Sequence, residues 1–450
     1  MNLPAALLNS LQGLKGFDEP SFVAVHENPL SLTSFRINPL KSHNDFKDIT
    51  LVPWTKFGFY LAQRPSFTFD PLFHAGCYYV QEASSMLLEQ AITQWEDFKG
   101  PLKVLDLCAS PGGKSTHIQS LLPSGSLLVT NEVIRSRASV LKDNIVKWGT
   151  ENVVVANNDP ADFASLPEYF DIVVVDAPCS GSGLFRRDPE AIAEWSPQHV
   201  NLCSMRQQRI LAAAMKTLRP GGLLVYSTCS FSKEEDEEIV QWLQSEISAS
   251  PIKLKLENHW GFEETGHGFK AWPNLVRGEG FFLAALTKNG EDHSDFTFKY
   301  AAKSKQELAS KQDLQIISNW IDAEAYQFVK NQQTIWAWPK ELVADFQLLF
   351  SSLQVLYAGI RVGELMRDKL IPDHSLALSG KTLASIPRLN LERENAIKYL
   401  QRKDFEAPPA SKGWHLVSYK DQPIGWANVL PGRINNYYPK ELRILKEQQG

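Results

Sequence analysis

The chain is short of the residues that build disulfide frameworks and metal cages. Its 450 residues hold five cysteines, an odd number at irregular intervals. That excludes a disulfide scaffold and fits a reducing compartment. No Cys-x-x-Cys or His-Glu-x-x-His spacing occurs, so no metal site is expected. No apolar run reaches the length of a membrane span, so no membrane partner is expected. The stretch MNLPAALLNSLQGLKGF (1–17) spaces Leu3, Leu7, Leu11 and Leu14 at helical intervals. It has no basic start and no long apolar core, so no signal peptide is read and a cytoplasmic location is expected. An excess of one charge is lacking too: 46 Lys and Arg against 51 Asp and Glu leave a net charge of −5. This excludes a uniformly basic coat but not a local basic face for nucleic acid.

What is present is a regular alternation of strand-like and helix-like segments across 76–288. KVLDLCA (103–109), LLVTNE (127–132), NVVVANND (152–159), FDIVVVDAPCSG (170–181) and GGLLVYSTCS (221–230) are apolar and β-branched, each ending in a turn signal. Helices are predicted between them, at 135–148 and 204–218. Such a βαβ series implies an α/β domain with a mostly parallel sheet covered on both faces. GFFLAALTK (280–288), soon after an apolar stretch at 254–256, is predicted as an antiparallel edge. Residues 1–75 read as a small α+β unit with a strand in SLTSFRINPLK (31–41). Residues 289–313 read as a linker. Residues 314–450 read as a β-rich module with strands at 413–419 and 423–430 and a helix at 391–401.

The first strand runs into DLCASPGGKST (106–116). A phosphate-binding loop would need glycine at position 108, which is Cys108, and Gly-x-Gly-x-x-Gly is absent. The remaining reading is a nucleoside cofactor against the glycine turn and helix start. It calls for an acid at the end of the second strand to bond the ribose and admits one after the third, near the base. Glu132 and Asp159 occupy those positions, where helix capping and turn chemistry are the plain alternative. Cys179 and Cys229 close two strands, where chemistry collects in open α/β sheets. Two thiols converging in one cleft would supply a nucleophile.

These segments resemble the Sun-type RNA cytosine-5 methyltransferases. The matching stretches are 106–114, DAPCSG (176–181), STCS (227–230), YVQEASS (79–85) and GEGFF (278–282). GIRVGELMRDKLIPDHSLALS (359–379) and NNYYPKELR (435–443) look like the RsmF-type branch, whose members modify small-subunit ribosomal RNA. The resemblance implies a Rossmann-like methyltransferase sheet with a small N-terminal α+β domain and a β-rich, PUA-like C-terminal domain. It implies S-adenosylmethionine as cofactor, held by Cys108, Ala109, Ser110, Pro111, Gly112, Gly113, Lys114, Glu132, Arg137, Asp159 and Asp176. Cys108 would offer only its backbone. Ribosomal RNA or the small subunit would be the partner, with the protein a monomer; transfer RNA, or a non-catalytic assembly role, are the alternatives.

By resemblance, Cys229 adds to carbon 6 of cytidine and Cys179 assists release. The residues alone leave the order open, since Pro178-Cys179 suits the attacking role in enzymes acting on DNA. Asp176 is positioned to bond the cytosine edge, and Lys114 to favour the thiolate or steady Asp176. The base must leave its stack to reach a buried thiol. Arg36, Lys41, Arg186, Arg187, Arg433 and Lys440 are candidate phosphate contacts, and Phe35, Phe185, Tyr437 and Tyr438 candidate stacking rings. Cys77 and Cys203 read as structural. The acidic run 234–238 reads as a helix start on a solvated face, with Ser232 and Glu235 forming a capping box and a family role in holding the loop.

Overall fold

The computed structural model describes residues 3–27, 32–41, 45–290 and 307–447. Five parallel strands form its centre, in the order Leu218–Thr228, Phe170–Asp176, Lys103–Asp106, Leu127–Asn131 and Val153–Ala156. Val153–Ala156 is buried throughout, as are Leu127–Asn131 and all of Phe170–Asp176 except Asp171 and Asp176. Helices cover both faces, which is why these runs read as continuous apolar β-branched segments. Helix Arg135–Trp148 lies where the sequence puts it. The helix expected at 204–218 begins earlier, at Pro197, because Ser196 caps it by accepting from the His199 amide at 3.1 Å.

The register aligns the carboxyl ends that matter. Asp106 pairs with Val174 and Thr130, and Asp176 pairs with Ser227. Cys179 and Cys229 therefore leave adjacent strands at one rim of the sheet.

Phe281–Lys288 is antiparallel to Leu218–Thr228, as its short return predicts, but it is not the edge. Phe269–Ala271 and Glu263–Glu264 extend the sheet beyond it. The stretch 254–256 forms no strand; Ala249–Pro251 pairs with the Phe281 strand instead. At the opposite edge Val355–Ala358, from the C-terminal third, pairs antiparallel with Val153–Ala156 and completes a ten-stranded sheet.

Three smaller sheets surround this one. Ile49–Leu51, Gly58–Leu61, Thr33–Ile37 and Tyr78–Val80 form the N-terminal sheet. Glu307–Leu308, Tyr326–Asn331, Thr334–Pro339, Ile360–Met366 and Lys369–Pro372 form the second. Arg388–Asn390, Gly413–Tyr419, Gln422–Leu430 and Arg433–Asn436 form the last. Phe35 and Tyr78 share one core with Tyr399, Val417 and Tyr438, so the first and last sheets pack together. Helix Ala5–Leu11 buries Leu7 and Leu11. Ser31, the first residue of the expected strand, and most of the expected linker, 291–306, lie outside the described residues.

Candidate active site

Cys179 Sγ and Cys229 Sγ lie 2.9 Å apart, both as free thiols. One carboxylate holds the two loops in that relation. Glu235 Oε1 accepts from the Ser180 amide at 2.8 Å, and Oε2 accepts from Ser180 Oγ at 2.5 Å and Ser230 Oγ at 2.6 Å. Gln207 Nε2 donates to Glu235 at 3.2 Å and to the Pro178 carbonyl at 3.0 Å. Asp236 bonds Thr228 Oγ1 at 2.6 Å and pairs with Lys270 at 3.1 Å, and Lys270 also donates to the Phe231 carbonyl at 3.1 Å. Glu235 and Asp236 are fully buried, so this part of the acidic run is not a solvated face. No capping box forms: the helix begins at Glu237, and the Glu235 carboxylate is engaged across the loops. The sequence signal for this was the Thr-Cys-Ser followed by acids, a spacing that alone does not say where the carboxylates point.

The two sulfurs are not equivalent. The Cys179 thiol is pushed well up, first by its hydrogen bond to Cys229, then by burial and by the charges of Cys229 and Glu235. It keeps its proton and faces Cys229. Lys114 Nζ pairs with Asp176 Oδ2 at 2.7 Å, and Ser227 Oγ donates to Asp176 Oδ1 at 2.8 Å. Burial opposes the Lys114 charge, but Asp176, then Cys229 and Asp106, outweigh it and raise its pKa. Lys114 is therefore a persistent cation that faces Asp176 and Cys229 together. It also lies 5.1 Å from the centre of the Phe281 ring.

Asp106 is fully buried. Ser115 Oγ donates to its Oδ2 at 2.6 Å, while Oδ1 has no partner among the described residues. Burial, with Asp176 and Glu132 nearby, lifts its pKa to about 7 against the opposing effects of Ser115 and Lys114. Gly112, at φ +109°, turns the chain into helix Gly113–Leu121. The Ala109 amide donates to the Asn131 carbonyl at 2.8 Å. Helix Arg135–Trp148 braces the turn through Arg137, which exchanges bonds with Ser110, and through Asn144, which donates to the Pro111 carbonyl. Burial and the surrounding acids Asp106, Asp176 and Glu132 drive the Cys108 thiol upward. Glu132 accepts from the Ile134 amide at 2.9 Å and lies 3.6 Å from Arg137. Asp159 caps a short 3-10 turn and is bonded by Arg209 at 3.0 Å. The sequence-predicted residues thus gather along one rim, with Asp159 the most committed to local structure.

The candidate phosphate contacts divide sharply. Arg36 is fully buried. Its guanidinium bonds Gln81, the carbonyls of Gly113 and Thr116, Thr116 Oγ1 and Ser120 Oγ, and it lies over Trp148. It pins the helix after the glycine turn to the N-terminal sheet and is not available to RNA. Lys41 donates to the Ala75 and Lys147 carbonyls, and burial lowers its pKa to about 8. Arg186 pairs inward with Glu279 at 3.7 Å. Arg187, Arg433 and Lys440 are exposed. Phe35, Phe185 and Tyr438 are core residues; Tyr437 alone of the four is exposed, at 39%.

Comparison with known proteins identifies relatives of the whole chain. The model for 16S rRNA methyltransferase RsmB/F matches residues 96–287. That for the N-terminal domain of 16S rRNA methyltransferase RsmF matches 3–83, and that for the RsmF PUA domain matches 387–444. The ribosomal RNA small subunit methyltransferase F of Pectobacterium atrosepticum is 30% identical, over 98% of this chain and 96% of its own. That of Salmonella agona is 31% identical, over 95% and 92%. A methyltransferase homologue protein from Pyrococcus horikoshii is similar in structure, with TM-score 0.51 and 28% identity, over 64% of this chain and all of its own. Fold and site together define a Rossmann-like methyltransferase of the RsmB/F type. Within that class, the chain belongs to the RsmF family.

Proposed function

We propose that the protein transfers a methyl group from S-adenosylmethionine to carbon 5 of a cytidine in 16S ribosomal RNA, through a covalent bond between Cys229 and carbon 6. The observation that carries this reading is the pair of thiols 2.9 Å apart beside the Lys114–Asp176 ion pair. The names of the relatives support a small-subunit RNA substrate.

The residues at the rim fit the methyl donor. Asp106 Oδ1 is a buried acceptor with no partner among the described residues, suited to an ammonium group. Glu132 stands at the end of the second central strand, the place for ribose hydroxyls. Val133 and Ile134 follow it with exposed apolar side chains that a purine ring would cover. The donor supplies an electrophilic methyl sulfonium, and the chain's own residues do the rest.

Cys229 adds through its sulfur to carbon 6, beside the Lys114 cation, and makes carbon 5 nucleophilic. Asp176, steadied by Lys114 and Ser227, bonds the ring edge that gains charge. Once Cys229 is bound to carbon, the charge and hydrogen bond that hold the Cys179 proton are gone. Cys179 can then pass its proton to water and, as the thiolate, take the carbon 5 proton; the electrons of that carbon–hydrogen bond re-form the carbon 5–carbon 6 double bond, and the Cys229–carbon bond breaks to restore the thiolate. This supports Cys229 as nucleophile and Cys179 as the group for release. The test is transfer of labelled methyl into 16S RNA and small subunits, with digestion to nucleosides. Label in 5-methylcytidine is the expected result; label in another nucleoside or none rejects the reading.

A further inference from the structure

We propose that a groove walled by Arg64, Arg187 and Arg277 seats the sugar–phosphate backbone of the RNA strand beside the nucleotide drawn into the Cys179–Cys229 site. The inference rests on the RNA reading above and adds a binding site to it. Two adjoining concavities, of about 410 and 400 Å³, share Arg64, Val80 and Arg187. They form one groove from the N-terminal sheet to the loop after Cys179.

The charge inside this groove is sorted. Its two acids are consumed by the protein. Glu82 accepts from the amides of Ser84, Ser85 and Glu279, and Glu279 pairs with Arg186. Arg64, Arg187 and Arg277 are exposed, and none has an ion pair among the described residues. Arg277 lies 4.2 Å over the Tyr60 ring and Arg64 5.3 Å over Phe67, contacts that hold a guanidinium extended while leaving its N–H groups free. Three unpaired arginine forks in a concave wall match the oxygens of phosphodiesters.

The groove is tied to the chemistry through backbone. The Gly183 amide donates to the Cys229 carbonyl at 2.8 Å, and the Gly280 amide donates to the Gly183 carbonyl at 3.1 Å. A Cβ on Gly183 would stand 2.6 Å from the Gly280 oxygen and 2.8 Å from that of Cys229, so the segments meet too closely for any other residue. Arg187 and Arg277 leave this junction on its two segments. A strand bound there continues from the reacting base, and the contact is to backbone, independent of sequence.

The test uses the full chain with R64Q, R187Q and R277Q combined, and fluorescence anisotropy with a single-stranded 16S RNA segment and its scrambled sequence over a salt series. Each lost phosphate contact reduces the slope of log K against log salt by about 0.7, so a fall of about 2 is expected, equal for both sequences. A combined Arg→Lys variant keeps most of the slope, since a point charge still serves, and it guards against a folding defect in the first variant. A glutamine variant that melts like wild type and keeps the wild-type slope overturns the groove. So does saturable micromolar binding of inorganic phosphate alone, which would make it a free-anion site. Wild type that fails to methylate RNA overturns the functional reading instead; methylation with an unchanged slope in the variant overturns the groove alone.

Discussion

Ser230 donates to the same Glu235 carboxylate oxygen, at 2.6 Å, that Ser180 reaches from the other loop. Each serine directly follows one of the two paired cysteines, so a single buried acid sets the distance between the sulfurs. Glu235→Ala leaves two buried hydroxyls and an amide unpaired, each at about 1–3 kcal/mol. We expect a lower melting temperature and a kcat reduced on the order of 100-fold, with cofactor affinity close to wild type. Glu235→Gln, which keeps the shape, should recover part of kcat. Equal loss of kcat and cofactor affinity would mean general unfolding of the rim rather than loss of the clamp.

Arg36→Met tests the link between the N-terminal sheet and the glycine turn. The substitution fills much of the volume but strands Gln81 Oε1 and removes the guanidinium donors to Thr116 Oγ1, Ser120 Oγ and the carbonyls of Gly113 and Thr116. A loss on the order of 3 kcal/mol is expected in a urea titration. Cofactor affinity should fall with it, because Lys114 sits in the first turn of the helix that Arg36 pins. An unchanged urea midpoint would show that these bonds are replaced by water.

Asp106 gives a pH-dependent signature. Its folded-state pKa, about 7, lies above the ordinary carboxylate value of 3.8. Between those values the folded chain holds a proton that the unfolded chain has lost, so stability from this group falls as pH rises and levels off above about 7. Asp106→Asn carries no such penalty. The melting temperature of the variant relative to wild type should therefore rise from pH 4 to pH 8. A cofactor ammonium opposite Asp106 would favour its charged form, so cofactor binding at pH 6.5 should release a proton in wild type and not in the variant, as calorimetry in buffers of different ionisation heat would report. A flat difference in melting temperature over that range contradicts the assignment.

Much of this architecture is legible in the sequence. The runs ending at Cys179 and Cys229 are β-branched and apolar because strands covered on both faces must be, and that periodicity survives in sequence. Helix 135–148 carries its own apolar stripe and Gly149 stop. What was not readable depends on distant partners. Val355–Ala358 joins the sheet by pairing with a strand some 200 residues away, and no local pattern records that. Arg36 resembles any surface arginine until its partners from residues 81 to 120 are assembled around it. Glu235 and Asp236 look like a solvated acidic face because buried carboxylates are rare without compensation, and the compensation comes from Ser180, Ser230, Thr228 and Lys270.

The most direct measurement of the central claim is trapping of the covalent complex. Cys229→Ala, Cys179→Ala and wild type are incubated with 16S RNA and S-adenosylmethionine, then resolved on a denaturing gel. The account predicts a shifted, denaturant-stable protein–RNA band with Cys179→Ala, where addition proceeds and release fails. It predicts neither band nor methyl transfer with Cys229→Ala. A stable band with Cys229→Ala and none with Cys179→Ala would contradict the assignment of the two sulfurs.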